Sequence, residues 1–358
     1  FGGGADPLRA SDFVLALGGG QDGVGARRGR RWQVWGQGDV QTFRGAPSDA
    51  IGYGGQLRTA YLGVDTWLTG RWMAGVAVAR SAGDGDWRAG GARGALETTL
   101  TAVHPYVLWS DGTTSVWATA GGGWGEAENQ RATGRRGVSG LGLRLGLVEL
   151  RRRLGSAGGV QFGVRADAAW AELRTEAGEE TIDSQMAAVR QVRVGAKVSR
   201  PVRLGGLTLA PFTEVHVRRD GGVGQTGEGV EVAGGARAMA GMVKVDAQGR
   251  LLVVHSAAAY RERGVGLTLG VGSQNEEGLS LSVSPRWGDS PTGGGALWQE
   301  QAYRQYVPAA VRDEWEVDAR GGYGLRLPGG RLLIWFGTLK HSPYGRSFLI
   351  GAQIGAHD

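Results

Sequence analysis

The feature that most constrains this chain is a strict two-residue alternation of apolar and polar side chains. Along Gly278 to Trp287, Leu279, Leu281, Val283, Pro285 and Trp287 share one parity, and Ser280, Ser282, Ser284 and Arg286 share the other. Successive side chains of an extended strand point to opposite faces, so this pattern reads as a strand with one apolar and one polar face. The pattern recurs. Val160, Phe162, Val164, Ala166, Ala168 and Trp170 alternate with a set containing Arg165 and Asp167. Val192, Val194, Ala196 and Val198 alternate with Arg193, Gly195, Lys197 and Ser199, and Val215 and Val217 with Glu214, His216 and Arg218. Leu141, Leu143, Leu145 and Leu147 form a further apolar parity against Gly142, Arg144 and Gly146.

Turn signals separate these stretches: Asp111-Gly112, Gly158-Gly159, Gly205-Gly206, Asp220-Gly221-Gly222 and Pro328-Gly329-Gly330. Helical periodicity is confined to two candidates, Asp6 to Leu17 and Glu300 to Asp313. The expectation is an all-β antiparallel meander with little helix. The 68 glycines fit a folded sheet, because no collagen-like triplet occurs and a hydrophobic content of 41% is too high for a disordered tract.

No apolar run approaches the roughly 20 residues that a membrane-crossing helix needs, so a membrane location would require crossing by strands. A soluble sandwich buries its apolar face, whereas a membrane barrel turns that face to lipid and its polar face to a lumen. Small residues and charges of both signs on the polar parity favour the barrel. So do aromatic residues near strand ends, where Trp67, Trp72, Tyr106, Trp109, Trp170, Tyr260, Trp287 and Trp335 are candidates for interfacial girdles. The lumen-facing candidates are Arg165, Asp167, Arg193, Lys197, Glu214, His216 and Arg218. Alternating stretches suggest fourteen to sixteen strands.

The absence of cysteine rules out disulfides, thiolate zinc sites and cysteine-ligated iron–sulfur clusters. The formal charge of +6 comes from arginine, since Lys197, Lys244 and Lys340 are the only lysines. These arginines are spread along the chain opposite many carboxylates, so no nucleic-acid partner is expected. Gly288-Asp289-Ser290 echoes an esterase nucleophile block, but Pro291 and glycines follow where a helix is needed, and His341 and His357 lack an aspartate partner. The glycines around Gly264 and Gly266 are followed by Leu267-Thr268-Leu269, a strand rather than the helix of a dinucleotide site. His104, His216, His255 and His341 never pair on one strand face. No catalytic residue, cofactor or metal site is expected, and the chain reads as a non-enzyme.

Particular strings resemble the autotransporter β-domain, the translocator of type V secretion. They are Trp35-Gly36-Gln37-Gly38-Asp39, Tyr53-Gly54-Gly55, Leu62-Gly63-Val64-Asp65 and His104-Pro105-Tyr106, then Arg218-Arg219-Asp220-Gly221-Gly222, Gly227-Glu228-Gly229-Val230-Glu231, Gly249-Arg250-Leu251-Leu252, Tyr260-Arg261-Glu262 and Pro285-Arg286-Trp287-Gly288. The likeness runs in order from Phe13 to Ile354. It implies an antiparallel up-and-down transmembrane β-barrel, with roughly twelve strands in the family, and hence about 12 to 16 here. It also implies outer-membrane lipid and the barrel-assembly machinery as partners, a monomer, and export or anchoring of an upstream passenger at the cell surface. Residues 1–30 would then be a linker or pore segment with a possible first strand, and residues 31–358 the outer-membrane barrel. Family barrels usually finish on an aromatic residue, while this sequence stops at Gly355-Ala356-His357-Asp358, so either further strands follow or closure differs. The alternative functional reading is a passive porin-like or structural barrel without a passenger. A membrane-embedded hydrolase would need a clustered carboxylate or serine–histidine site at a rim.

Overall fold

The computed structural model describes residues 30–48, 51–176, 184–222, 226–257, 263–272, 278–288, 315–328, 331–342 and 345–357. The two helical candidates, the girdle candidate Tyr260, the hydrolase candidate Ser290 and the segment before Arg30 lie outside the described residues. Every regular element within them is a strand. In chain order these are β1 (Arg30–Ser48), β2 (Ile51–Trp67), β3 (Trp72–Ala89), β4 (Ala92–Ser110), β5 (Thr114–Arg131) and β6 (Arg136–Ala157). There follow β7 (Val160–Thr175), β8 (Gln185–Ser199), β9 (Val202–Leu204), β10 (Leu207–Gly222), β11 (Gly227–Ala240) and β12 (Val243–His255). The last five are β13 (Arg263–Gly272), β14 (Gly278–Gly288), β15 (Trp315–Leu327), β16 (Arg331–Ser342) and β17 (Gly345–His357).

Each strand pairs antiparallel with its chain neighbour, and β8 and the three-residue β9 both pair with β10 as one interrupted stave. The sheet closes on itself through β1 and β17, with Val34 opposite Ile354 and Val40 opposite Phe348. The result is a closed up-and-down barrel of sixteen staves. An even number is what antiparallel closure demands, and closure leaves no unpaired sheet edge. The ring is completed by the strand that carries Gly355 to His357.

Turn chemistry sets the hairpins. Gly158 and Gly159 both adopt positive φ, 57° and 79°, as a two-residue turn matched to strand twist requires. Asp111 accepts hydrogen bonds from the Thr113 and Thr114 amides at 2.8 and 2.7 Å, tying the β4–β5 turn. Asp220, Gly221 and Gly222 differ from the expected turn: they complete β10. Connections at the rim where β1 begins are short, including 68–71, 111–113, 158–159 and 241–242, while the opposite rim carries the 26 residues 289–314 between β14 and β15.

Burial is inverted relative to a water-soluble protein. Val194 is 55% exposed while its neighbour Arg193 is 2% exposed, and Val217 is 62% exposed beside Arg218 at 2%. Leu279, Leu281 and Val283 are likewise exposed.

Two expectations need correction. Leu141, Leu145 and Leu147 are buried, and the exposed parity of β6 holds Val138, Arg144 and Val148. The cause is an apolar cluster on the buried side of the wall, in which Leu147 joins Trp35, Met73, Ala77, Tyr106, Leu108, Trp117 and Ala169, with Tyr61 and Trp67 packed against it. On the outer side Gly146 gives room to the Trp170 indole, its direct cross-strand partner. Tyr106 and Trp67 belong to this inner cluster, not to an outer girdle. Trp72, Trp170, Trp287 and Trp335 are exposed on the outside.

Candidate functional site

The candidate site is the polar parity of β6, β7, β8, β10, β11 and β12, which the antiparallel register places side by side. Direct cross-strand pairs align Glu149 with Asp167, Asp167 with Arg193, Arg193 with Arg218, and Glu214 with Lys197. All seven residues expected from the sequence fall on this parity. Arg193, Arg218, His216 and Asp167 are buried, and Arg165, Lys197 and Glu214 are half-buried.

Their contacts form a network around Asp167, Arg193 and Glu231, with Lys197, Glu214 and His216 as a second group beside it. Arg193 holds Asp167 through two parallel hydrogen bonds, Nε to Oδ2 at 3.0 Å and Nη2 to Oδ1 at 2.9 Å, the fork geometry that suits a carboxylate. Glu231 is the hub: it receives Arg250 at 2.6 Å, Arg218 at 3.4 Å and Arg193 at 3.5 Å. Arg218 also pairs with Asp220 at 2.7 Å, and His255 approaches the same carboxylate at 3.3 Å. Arg165 bridges Glu149 at 3.1 Å and Asp167 at 3.6 Å. Lys197 pairs with Glu214 at 3.1 Å, lies 4.5 Å from the Phe212 ring centre, and has His216 near the same glutamate at 3.8 Å. Burying charges is tolerable because each has an opposite charge within 4 Å, most of them on a neighbouring strand.

Sequence reasoning left out Glu149, Asp220, Glu231, Arg250 and His255. Glu231 stands between Val230 and Val232 in the same alternation used for Arg193, so its parity was readable. Glu149 and Arg151 extend the leucine parity of β6 and pair with each other, and these charges were the signal that the leucines face inward.

Small residues make room for bulky ones across the wall. Gly63 faces Trp35, Gly75 faces Tyr106, Gly195 faces His216 and Gly351 faces Phe336, and in each case a Cβ would collide with the opposite ring. These glycines thus serve close packing of aromatic and imidazole rings on a curved wall.

Among the described residues no group of histidine and carboxylate side chains could hold a metal ion. At the rim, Ser256 follows His255, which contacts Asp220. The Ser256 hydroxyl accepts the Glu228 amide at 2.9 Å, and His255 Nδ1 accepts the Ala257 amide at 3.1 Å. The His255 nitrogen that does not face Asp220 is thus taken by a backbone amide.

A closed antiparallel barrel with apolar residues outside and charges inside defines an outer-membrane-type β-barrel. The autotransporter beta-domain family matches residues 34–251, more than half of the chain. This chain belongs to that family. Among solved structures it is similar to CdiB from Acinetobacter baumannii, with a TM-score of 0.52 and 9% identity over 90% of this chain; it spans 60% of the CdiB chain. It also resembles the translocator domain of autotransporter NalP from Neisseria meningitidis, at a TM-score of 0.41 and 13% identity, covering 97% of this chain and 92% of that one. OccK2 (OpdF) of Pseudomonas aeruginosa is similar at a TM-score of 0.39 and 14% identity, covering 91% of this chain and 96% of that one. Among curated proteins none is similar in sequence.

Proposed function

We propose that this chain is a translocator barrel in the bacterial outer membrane that exports or anchors an upstream passenger at the cell surface. The observation that carries this reading is the inverted burial of the closed wall, read together with membership of the autotransporter beta-domain family. A closed barrel satisfies its strand hydrogen bonds internally, so it can sit in hydrocarbon while presenting a polar inner surface to an extended chain. In this reading Arg165, Asp167, Arg193, Lys197, Glu214, His216 and Arg218 line the lumen. Their network is internally balanced, so a passing polypeptide of either charge meets paired groups instead of a one-signed trap. In the same reading residues 1–30 are a linker or pore segment, or carry a first strand, and residues 31–358 are the barrel, inserted as a monomer by the barrel-assembly machinery.

The test is export itself. With a signal peptide and a reporter passenger placed upstream, the barrel delivers the reporter to the outside of intact cells, where added protease removes it. A barrel that folds in the outer membrane and leaves the reporter protected in the periplasm contradicts export and supports the porin-like or structural alternative.

A further inference from the structure

The outer face of the barrel carries a second charged feature, distinct from the inner network. Arg144 on β6, Arg174 on β7, Arg190 on β8 and Arg219 on β10 are all exposed, Arg174 and Arg219 with 57% and 78% of their side chains accessible. Register places them together: Arg144 is opposite Glu172, two residues from Arg174; Arg190 is opposite Trp170 and also opposite Gly221, two residues from Arg219. Adjacent strands are about 5 Å apart, so the four form one arc over four staves. The carboxylates on this face are Glu172 paired with Arg174, Glu176 lying over Gly140, Glu126 opposite Gly140, and Glu228 at 3.8 Å from Arg219. Within the described residues Arg144 and Arg190 make no ion pair.

The arc directly borders exposed apolar side chains. Trp124 is opposite Gly142 next to Arg144, Trp170 is opposite Arg190, and Val192 is opposite Arg219. A partner that satisfies both must present an anionic head and an apolar body together, as an anionic lipid does. Guanidinium forks match phosphate oxygens bidentately. The arc lies toward the rim with the 26-residue connection 289–314, and long connections mark the outward side of such barrels.

We propose that Arg144, Arg174, Arg190 and Arg219 form a docking arc for the phosphate-bearing headgroups of glycolipid in the outward leaflet. This rests on the placement of the barrel in the outer membrane proposed above. Trp124 and Trp170 hold the acyl boundary while the arginines take the phosphates, fixing the depth of this side of the wall.

The test refolds the whole chain in phosphatidylcholine vesicles containing lipid A, re-extracts it in mild detergent and counts the lipid A retained per barrel by mass spectrometry. The variant R144Q/R174Q/R190Q/R219Q is compared with R71Q/R152Q/R200Q/R203Q, which removes equal charge near the opposite rim. Basic side chains near an anionic membrane surface each add attraction, so retention falls by about tenfold in the first variant and by less than about twofold in the second. Equal retention in the first variant and the wild type, equal retention of dephosphorylated lipid A, or loss of retention to millimolar inorganic phosphate overturns the arc. If the wild type folds in the vesicles, shown by heat-modifiable migration, those results leave the barrel reading standing. If it does not fold there, both readings fall.

Discussion

The Tyr106 hydroxyl on β4 donates a 3.0 Å hydrogen bond to Asp65 Oδ2 on β2, passing over Gly75 of the intervening strand β3. Trp35 Nε1 on β1 donates to the same hydroxyl at 3.2 Å, so one tyrosine ties β1 and β2 to β4 across β3. Asp65 and Tyr106 are both buried, and the reach is possible only because Gly75 has no side chain.

Two substitutions test this tie. Tyr106→Phe keeps the ring and removes the donor to a buried carboxylate, at a cost of about 1–3 kcal/mol. Gly75→Ala drives a methyl group into the ring and costs a similar ~1–3 kcal/mol through overpacking. Urea unfolding of the vesicle-inserted barrel reads both; the same measurement on Gly38→Ala, where a Cβ meets nothing within 4 Å, is expected to show no comparable loss.

Glu231 is the hub of three arginines. Glu231→Gln leaves Arg193, Arg218 and Arg250 around a neutral amide, and breaking a buried ion pair from one side costs about 3–5 kcal/mol. Glu228→Gln, at a glutamate side chain that is 71% accessible, changes stability by no more than about 0.5 kcal/mol. Equal midpoints of unfolding for the two variants would show that the inner network carries no special weight.

Much of this arrangement was legible in the sequence, and the failures have a physical cause. The parities of β8, β10 and β14 read correctly because charge and branched aliphatic residues alternate cleanly there, as in Val192-Arg193-Val194. In β6 the leucines alternate mostly with glycine, which marks neither face, so their inward side showed only in the charges Glu149 and Arg151 at the end of the same parity. Tyr106 and Trp67 were misplaced for a related reason: aromatic rings serve both at a lipid interface and over a glycine inside the wall. The pairing of Arg193 with Glu231 joins strands 38 positions apart in sequence and depends on register, which local periodicity does not specify.

Asp111 offers a pH test outside the spanning strands. Hydrogen bonds from the Thr114 amide, then from the Thr113 hydroxyl and amide, hold its carboxyl down at about 2 against an ordinary 3.8. Because the folded value is depressed, the turn gains stability above the unfolded value and loses it as pH falls from about 4 through 2. Carbon-detected titration of the Asp111 carboxyl places its midpoint near 2, and Thr114→Pro, which removes the first donor, moves that midpoint upward. A midpoint at the ordinary value in the wild type would contradict the tied turn.

Charge introduced on the exposed parity separates lipid from water. Val194→Arg and Leu281→Arg cost about 2–4 kcal/mol near the bilayer midplane, and Ser282→Arg costs far less. Leu145 does not belong in this series, since it is buried at 3% exposure among the inner residues of β6.

The most direct test of the inside-out wall uses the absence of native cysteine. Single cysteines placed in turn from Leu279 to Ser284 and spin-labelled in vesicles report contact with lipid through oxygen and contact with water through a soluble nickel complex. Oxygen accessibility is expected to peak at Leu279, Leu281 and Val283 and to fall at Ser280, Ser282 and Ser284, whether or not the lumen is filled. A profile without this two-residue alternation, or with its phase reversed, would contradict a barrel that meets the membrane through its apolar parity.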